Sequence, residues 1–151
     1  MYAMNTLRLE KGYRHWGHDI CDQDTPLDAG LAFTVAWDKP GGFLGREALL
    51  ADRGRPRRRR LVQVRIEDPE LLTYHDDPIL RNGVIVGRTT SGAWSPSEGR
   101  CLAMAYAEHP EGVTAQWLGD GQWEIEVGMR RRAATVQLRP FVDPGRTRVR
   151  S

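Results

Sequence analysis

Between Asn5 and Ile20 the chain crowds together Arg8, Glu10, Lys11, Tyr13, Arg14, His15, Trp16, His18 and Asp19. A guanidinium beside aromatic faces is chemistry for a flat, partly anionic ligand, because its rigid donor fork matches a carboxylate and its plane stacks on rings. Arg8, Tyr13 and Trp16 are the side chains that would build such a wall. Two alternatives stand beside that reading. Arg8 can form an ion pair with Glu10 or with an acidic neighbour in the loop after Ile20, and Trp16 serves equally well as a core tryptophan.

His15 and His18, near Asp19, Cys21, Asp22 and Asp24, offer imidazole, thiolate and carboxylate, the usual metal ligands. Their spacing matches no closed zinc pattern, and His75 and His109 have no partner at ligand spacing, so histidines held by carboxylates are expected and no metal. Nucleophilic chemistry finds no support either. Gly92-Ala93-Trp94-Ser95-Pro96 is not a nucleophile elbow, no Ser, His, Asp order stands out, and no glycine-rich phosphate loop is present. No catalytic residue is assigned.

The elements that must position these groups follow from periodicity and punctuation. One helix is predicted from Tyr2 to Lys11 and Gly12 ends it. An acidic, turn-rich stretch follows, with an apolar segment from Leu31 to Trp37 that has the composition of a strand and a loop at Asp38-Lys39-Pro40-Gly41-Gly42. Gly45 to Arg53 reads as a short amphipathic helix with Ala48, Leu49 and Ala51 inward, closed by Gly54. Arg55-Pro56-Arg57-Arg58-Arg59-Arg60 reads as a solvated linker.

Beyond it the period becomes two. Val62, Val64 and Ile66 alternate with Gln63, Arg65 and Glu67, a half-buried strand. Asn82-Gly83 between Pro78-Arg81 and Val84-Val86 marks a hairpin. Further strands are predicted at Arg88–Trp94, Cys101–Ala107, around Trp123–Val127 and around Ala134–Leu138. The fold class is α+β but mainly β: a short N-terminal helical and irregular segment, then an antiparallel barrel or jelly roll of six to seven strands. Three parts result, residues 1–54, the arginine-rich linker 55–60, and the barrel 61–151.

Composition excludes several classes. A formal charge of +2, carried almost wholly by arginine, argues against a dedicated nucleic-acid binder. No apolar run reaches membrane-spanning length and no signal-peptide core follows the N-terminus, so a cytoplasmic protein off the membrane is expected. Cys21 and Cys101 form no disulfide framework, which suits a reducing compartment.

Arg8-Leu9-Glu10-Lys11-Gly12-Tyr13, then Trp16-Gly17-His18-Asp19 and Thr25-Pro26-Leu27, resemble the second half of the tetrahydrofolate-dependent aminomethyltransferase family. That family includes the glycine-cleavage T-protein and the folate-binding C-terminal part of dimethylglycine and sarcosine dehydrogenases, and the wording here is closer to the dehydrogenase branch. The resemblance continues through Phe43-Leu44-Gly45-Arg46-Glu47-Ala48-Leu49, Pro78-Ile79-Leu80, Val86-Gly87, Thr90-Ser91-Gly92, Ser95-Pro96 and Arg139-Pro140-Phe141-Val142-Asp143-Pro144.

The resemblance implies that residues 1–54 are a remnant of a folate-binding domain and that tetrahydrofolate is the cofactor, with no flavin in this chain. It makes Arg8 a folate-contacting position, and Trp16 stands where T-proteins usually carry tyrosine. It places a further arginine near the folate, for which Arg146 is the better register and Arg148 the fallback, against a solvated tail. Thr90-Ser91-Gly92 and Ser95-Pro96 then read as structural. The family's catalytic aspartate and pterin-gripping glutamate fall before this sequence starts, so little or no transferase activity is expected of the chain alone. A partner carrying the N-terminal half, or a flavoprotein, is implied; uncovered apolar surface also predicts a homo-oligomer. A non-catalytic folate-binding or interaction module is the alternative.

Overall fold

The computed structural model describes residues 2–148. Its organising feature follows from the alternation after the arginine run. Val62, Val64 and Ile66 of β1 (Arg59–Ile66) turn inward and are fully enclosed. They meet Ile79 of β2 (Pro78–Arg81), Cys101, Ala103, Ala105 and Ala107 of β4 (Arg100–Glu108), Trp123 and Ile125 of β5 (Trp123–Val127), and Val136 of β6 (Arg130–Gln137). With β3 (Val84–Ser95) these six antiparallel strands close in the order β1-β4-β3-β2-β5-β6, and β6 pairs back onto β1.

Asn82 and Gly83 take φ of 51° and 79°, the left-handed pair that a type I′ hairpin turn requires. The segments Val84–Val86 and Arg88–Trp94 are one continuous strand rather than two. A register shift between Thr89 and Ser91 bulges that strand. One end of the barrel is plugged by α3 (Ala115–Gly119), which periodicity did not reveal because it is only five residues long. Thr114 caps it by accepting from the Trp117 N–H at 3.0 Å, and the Trp123 indole donates to the Leu118 carbonyl at 2.8 Å.

β1 is buried on both faces where half-burial was expected. Leu9 of α1 (Tyr2–Glu10) packs with Leu61, Met104 and Tyr106 on the barrel's outer surface. Gly12, at φ 69°, ends α1; the Tyr13 N–H donates back to the Arg8 carbonyl at 2.8 Å, and a Cβ on Gly12 would lie 2.8 Å from the Pro140 ring.

Three expectations are corrected between α1 and the barrel. Leu31–Trp37 is no strand: Ala32–Thr34 forms a single 3-10 turn, and a closed barrel offers no free edge for another strand to join. The helix after Gly45 exists as α2 (Arg46–Arg53), but none of its residues is buried, and Ala48 and Ala51 are exposed. Among the described residues no second layer lies beneath it; it is tied instead by Arg46 donating to the Trp37 carbonyl at 3.0 Å and by Arg53 lying 4.7 Å over the Trp37 ring. The arginine run is not a solvated linker throughout. Arg57 reaches Asp52 at 2.5 Å and Asp28 at 3.4 Å, while Arg59 and Arg60 already belong to β1. Among the described residues no helix is long and apolar enough to cross a membrane.

Candidate functional site

Asp19 is the point on which the N-terminal segment turns. It is fully enclosed, and its carboxylate accepts from four donors. Oδ2 receives the Arg8 guanidinium and, at 2.8 Å, the His15 backbone N–H; Oδ1 receives the hydroxyls of Thr90 at 2.5 Å and Ser91 at 2.6 Å. Adjacent strand residues normally point to opposite faces, so a regular β3 could offer only one of those hydroxyls. The bulge lets both reach the same oxygen. Four donors fill the acceptor capacity of a carboxylate, so Asp19 has none left for a metal or a substrate proton.

Arg8 is therefore engaged. Besides Asp19 it donates through Nε to Asn5 Oδ1 at 2.8 Å, and its side chain is only 13% exposed. The pairing is a buried one, to a residue before Ile20, not the surface pair with Glu10 or a later acid. His15 and His18 stack on each other with ring centroids 4.7 Å apart. Among the described residues no group of three metal-ligating side chains forms.

Glu10 makes the second tether. Its carboxylate accepts from Ser95 Oγ at 2.5 Å, from the Ser97 N–H at 3.2 Å and from Ser97 Oγ at 3.1 Å. Burial pushes this carboxyl up, but the Ser95 and Ser97 donors, with Lys11 nearby, outweigh it and hold the group below the usual range. Thr90, Ser91 and Ser95 thus have the structural role read for them, as the barrel's receptors for two acids of the N-terminal segment.

The C-terminal segment docks on the turn after α1. Lys11 Nζ lies 2.9 Å from Asp143, whose carboxylate also accepts from the Thr147 N–H at 2.7 Å and the Thr147 hydroxyl at 2.8 Å. The Lys11 bond leads the effects that hold the Asp143 carboxyl far below its ordinary value. Between these pieces opens a cleft of about 350 Å³ lined by Tyr13, Arg14, Phe33, Arg139, Pro140 and Arg146, among others. Arg14 donates to the carbonyls of Gly12, Ala29 and Gly30 at 2.5, 3.0 and 3.3 Å, and burial lowers its pKa. Arg146 lies 5.5 Å over the Phe33 ring. Among the described residues the cleft's one carboxylate, Asp143, is committed to Lys11 and to the tail, so Arg14, Arg139 and Arg146 leave that lining net positive.

The structure therefore brings Tyr13 and Arg146 together and leaves Arg8 and Trp16 outside this cleft. Trp16 is 67% exposed, its backbone bridging to Ile20. Arg14, Phe33 and Arg139 carry no assignment from sequence; Arg14 belongs to the charged stretch between Asn5 and Ile20 and Arg139 opens the quoted Arg139–Pro144 motif, whereas nothing local marks Phe33. A larger cleft, about 480 Å³, lies on the outer barrel face by Arg59, Arg88 and Tyr106, but its cations are engaged. Arg59 pairs with Asp24 at 2.6 Å and covers the Tyr106 ring at 3.4 Å, and Arg88 donates to the Asp76 carbonyl at 2.9 Å. The smaller cleft has the better chemistry for an anionic, ring-bearing ligand.

Known proteins sharpen this picture. Residues 59–143 match the family model of the glycine cleavage T-protein C-terminal barrel domain, and residues 1–39 match that of the GCVT N-terminal domain. The chain is 42% identical to 4-methylaminobutanoate oxidase (formaldehyde-forming) of Paenarthrobacter nicotinovorans, over 99% of this chain and 17% of that protein. It is 36% identical to human sarcosine dehydrogenase over 98% of this chain and 16% of the relative. It is also 36% identical to the aminomethyltransferase of Rippkaea orientalis, over 92% of this chain and 36% of the relative. The crystal structure of the glycine cleavage system aminomethyltransferase T from Bartonella henselae superposes with a TM-score of 0.77 at 27% identity, covering 94% of this chain and 38% of that one. The chain thus spans about a sixth of the oxidase and dehydrogenase relatives and little more than a third of the aminomethyltransferases.

Proposed function

Because the chain belongs to the glycine-cleavage T-protein family, we propose that it supplies one wall of a tetrahydrofolate site used for one-carbon transfer from an aminomethyl or methylated amine. The observation that carries this is the cleft at Tyr13 and Arg146, which joins cations to aromatic faces. Reduced folates pair a flat heterocycle and an aminobenzoyl ring with a glutamate tail, and the residues present fit both ends. Arg139 and Arg146 hold the tail carboxylates through charge-assisted hydrogen bonds, and Tyr13 and Phe33 flank a ring. Bound tetrahydrofolate supplies the nitrogen that accepts the one-carbon unit.

This chain's own share is binding and orientation. Its best-placed buried acids, Asp19 and Glu10, are consumed by structural hydrogen bonds, which leaves neither free to assist transfer. Little transferase activity is expected of the chain by itself.

Calorimetric titration of folinic acid into the purified chain tests the reading. Micromolar binding is expected, weakened about tenfold to a hundredfold by the double change Arg139→Ala and Arg146→Ala while the melting temperature holds. Binding that ignores both changes, or no binding at all, would move the ligand away from this cleft.

A further inference from the structure

The tail after β6 is attached in two unlike stretches. Up to Val142 it is packed: Val142 is buried, and the Pro140 ring lies against Gly12. From Pro144 to Arg148 every residue is exposed, and the hydrogen bonds described there converge on Asp143. Its carbonyl accepts from the Arg146 N–H at 2.9 Å, and its carboxylate takes the Thr147 N–H and hydroxyl together with the Arg148 N–H at 3.3 Å. Asp143 and Arg146 both stand at positive φ, 47° and 56°, where residues other than glycine settle only when their surroundings hold them. Lys11 closes the arrangement from 132 residues away, and the Asp143 side chain is 3% exposed, so salt screens the pair little.

This loop carries a load. Arg14 and Arg146 line the same cleft, and the Arg146 charge is one of the effects that lower the Arg14 pKa, so two guanidiniums repel across the opening. Among the described residues the carboxylate of that lining, Asp143, is already taken by Lys11 and does not separate them. We propose that Lys11 and Asp143 are the clasp of an anion-closed strap: they keep residues 144–148 over the cleft against the repulsion between Arg14 and Arg146, and an anionic ligand seated between the two guanidiniums tightens the strap by removing that repulsion. Lys11 and Asp143 are then positioning residues, acting through Arg146 rather than by holding the ligand. The ligand half of this proposal rests on the proposed folate cleft; the clasp half does not.

Solvent exchange of the Arg146, Thr147 and Arg148 amides, read by NMR, tests the clasp without ligand. Lys11→Met should speed all three about tenfold while amides of β1 and β4 are unchanged, and Lys11→Arg, which keeps the cation, should stay near the parent. Asp143→Asn, which keeps an acceptor for Thr147 but no charge for Lys11, takes its place where Lys11→Met does not fold. Unchanged exchange in the variant overturns the proposal. Folinic acid should slow the Thr147 and Arg148 amides in the parent and leave them unmoved in Arg146→Ala. By calorimetry, Lys11→Met should weaken folinic acid about tenfold in the parent and have no further effect in an Arg146→Ala background. Equal weakening in both backgrounds would make Lys11 a ligand contact and overturns the strap. A parent that binds no folinic acid defeats the folate cleft instead; the strap is then decided with citrate as the anion, and tail amides that citrate does not slow overturn it.

Discussion

The barrel and the segment before it solve burial in opposite ways. The barrel is closed: each of its strands has two neighbours, and its interior is Val, Ile, Ala and Trp packed without free edges. The segment from α1 to α2 owns little interior. Leu9 is its chief contribution to the barrel's outer apolar cluster, and polar contacts supply most of the rest: Asp19 and Glu10 reach hydroxyls of β3 and the turn after it, Asp24 pairs with Arg59 of β1, and the Asp28 carbonyl accepts from the Leu61 N–H. Apolar burial is diffuse, so no single barrel residue holds the barrel closed. Attachment through saturated carboxylates is concentrated, with four bonds meeting at Asp19 alone, so removing that one side chain should loosen the N-terminal part of the segment.

Asp19→Ala should therefore have the largest effect of any substitution outside the core. It leaves the Arg8 guanidinium buried without its acid and strips the Thr90 and Ser91 hydroxyls of their acceptor. Breaking a buried pair from one side costs about 3–5 kcal/mol. Hydrogen exchange should show amides of residues 2–30 losing protection while β1 to β6 keep theirs. Uniform loss across the barrel would show that the two regions unfold as one.

Gly87→Ala probes the other side of the comparison. A Cβ there would sit 1.8 Å from the Tyr106 carbonyl oxygen, inside the β3–β4 pairing. Backbone cannot swing aside as a side chain can, so a loss of about 1–3 kcal/mol is expected in thermal or urea unfolding. Here β3 and β4 amides should open first, with the Asp19 tether following them. A variant as stable as the parent would mean the strands separate more easily than a closed barrel allows.

What could be read in the sequence divides along the same line. The alternation of Val62, Val64 and Ile66, the Asn82-Gly83 turn and the Gly12 stop act over a few residues, so composition and period reveal them. The strand expected at Leu31–Trp37 had the right residue types, but a strand needs an edge, and the closure that removes every edge is a property of the whole barrel. The hydroxyl partners of Asp19 lie 71 and 72 residues away at a bulge no local pattern marks, so the sequence leaves Arg8 open between a ligand and an ion pair, without showing that Asp19 is the acid that holds it. Tyr13 is named for its aromatic face and Arg146 only by the family resemblance, against a solvated tail; that they line one cleft with Arg14, Phe33 and Arg139 depends on the docking of the tail onto the turn after α1, which no local pattern shows.

The smallest effect separates the two regions by pH. Glu10→Gln keeps the shape and one acceptor but gives up charge-assisted bonds from Ser95 and Ser97, a loss of about 1–2 kcal/mol at neutral pH. The folded carboxyl is held below its ordinary value of 4.5, so the unfolded chain binds the proton more readily. Its contribution is then fully present above that pH and is lost as pH falls through the folded value. The stability difference between parent and Glu10→Gln should accordingly shrink in acid, whereas the difference for Gly87→Ala, which involves no titrating group, should stay level. A Glu10→Gln difference that is flat from neutral pH into acid would mean that the tether depends on shape rather than charge, and the contrast between an apolar barrel and an electrostatically fastened segment would have to be withdrawn.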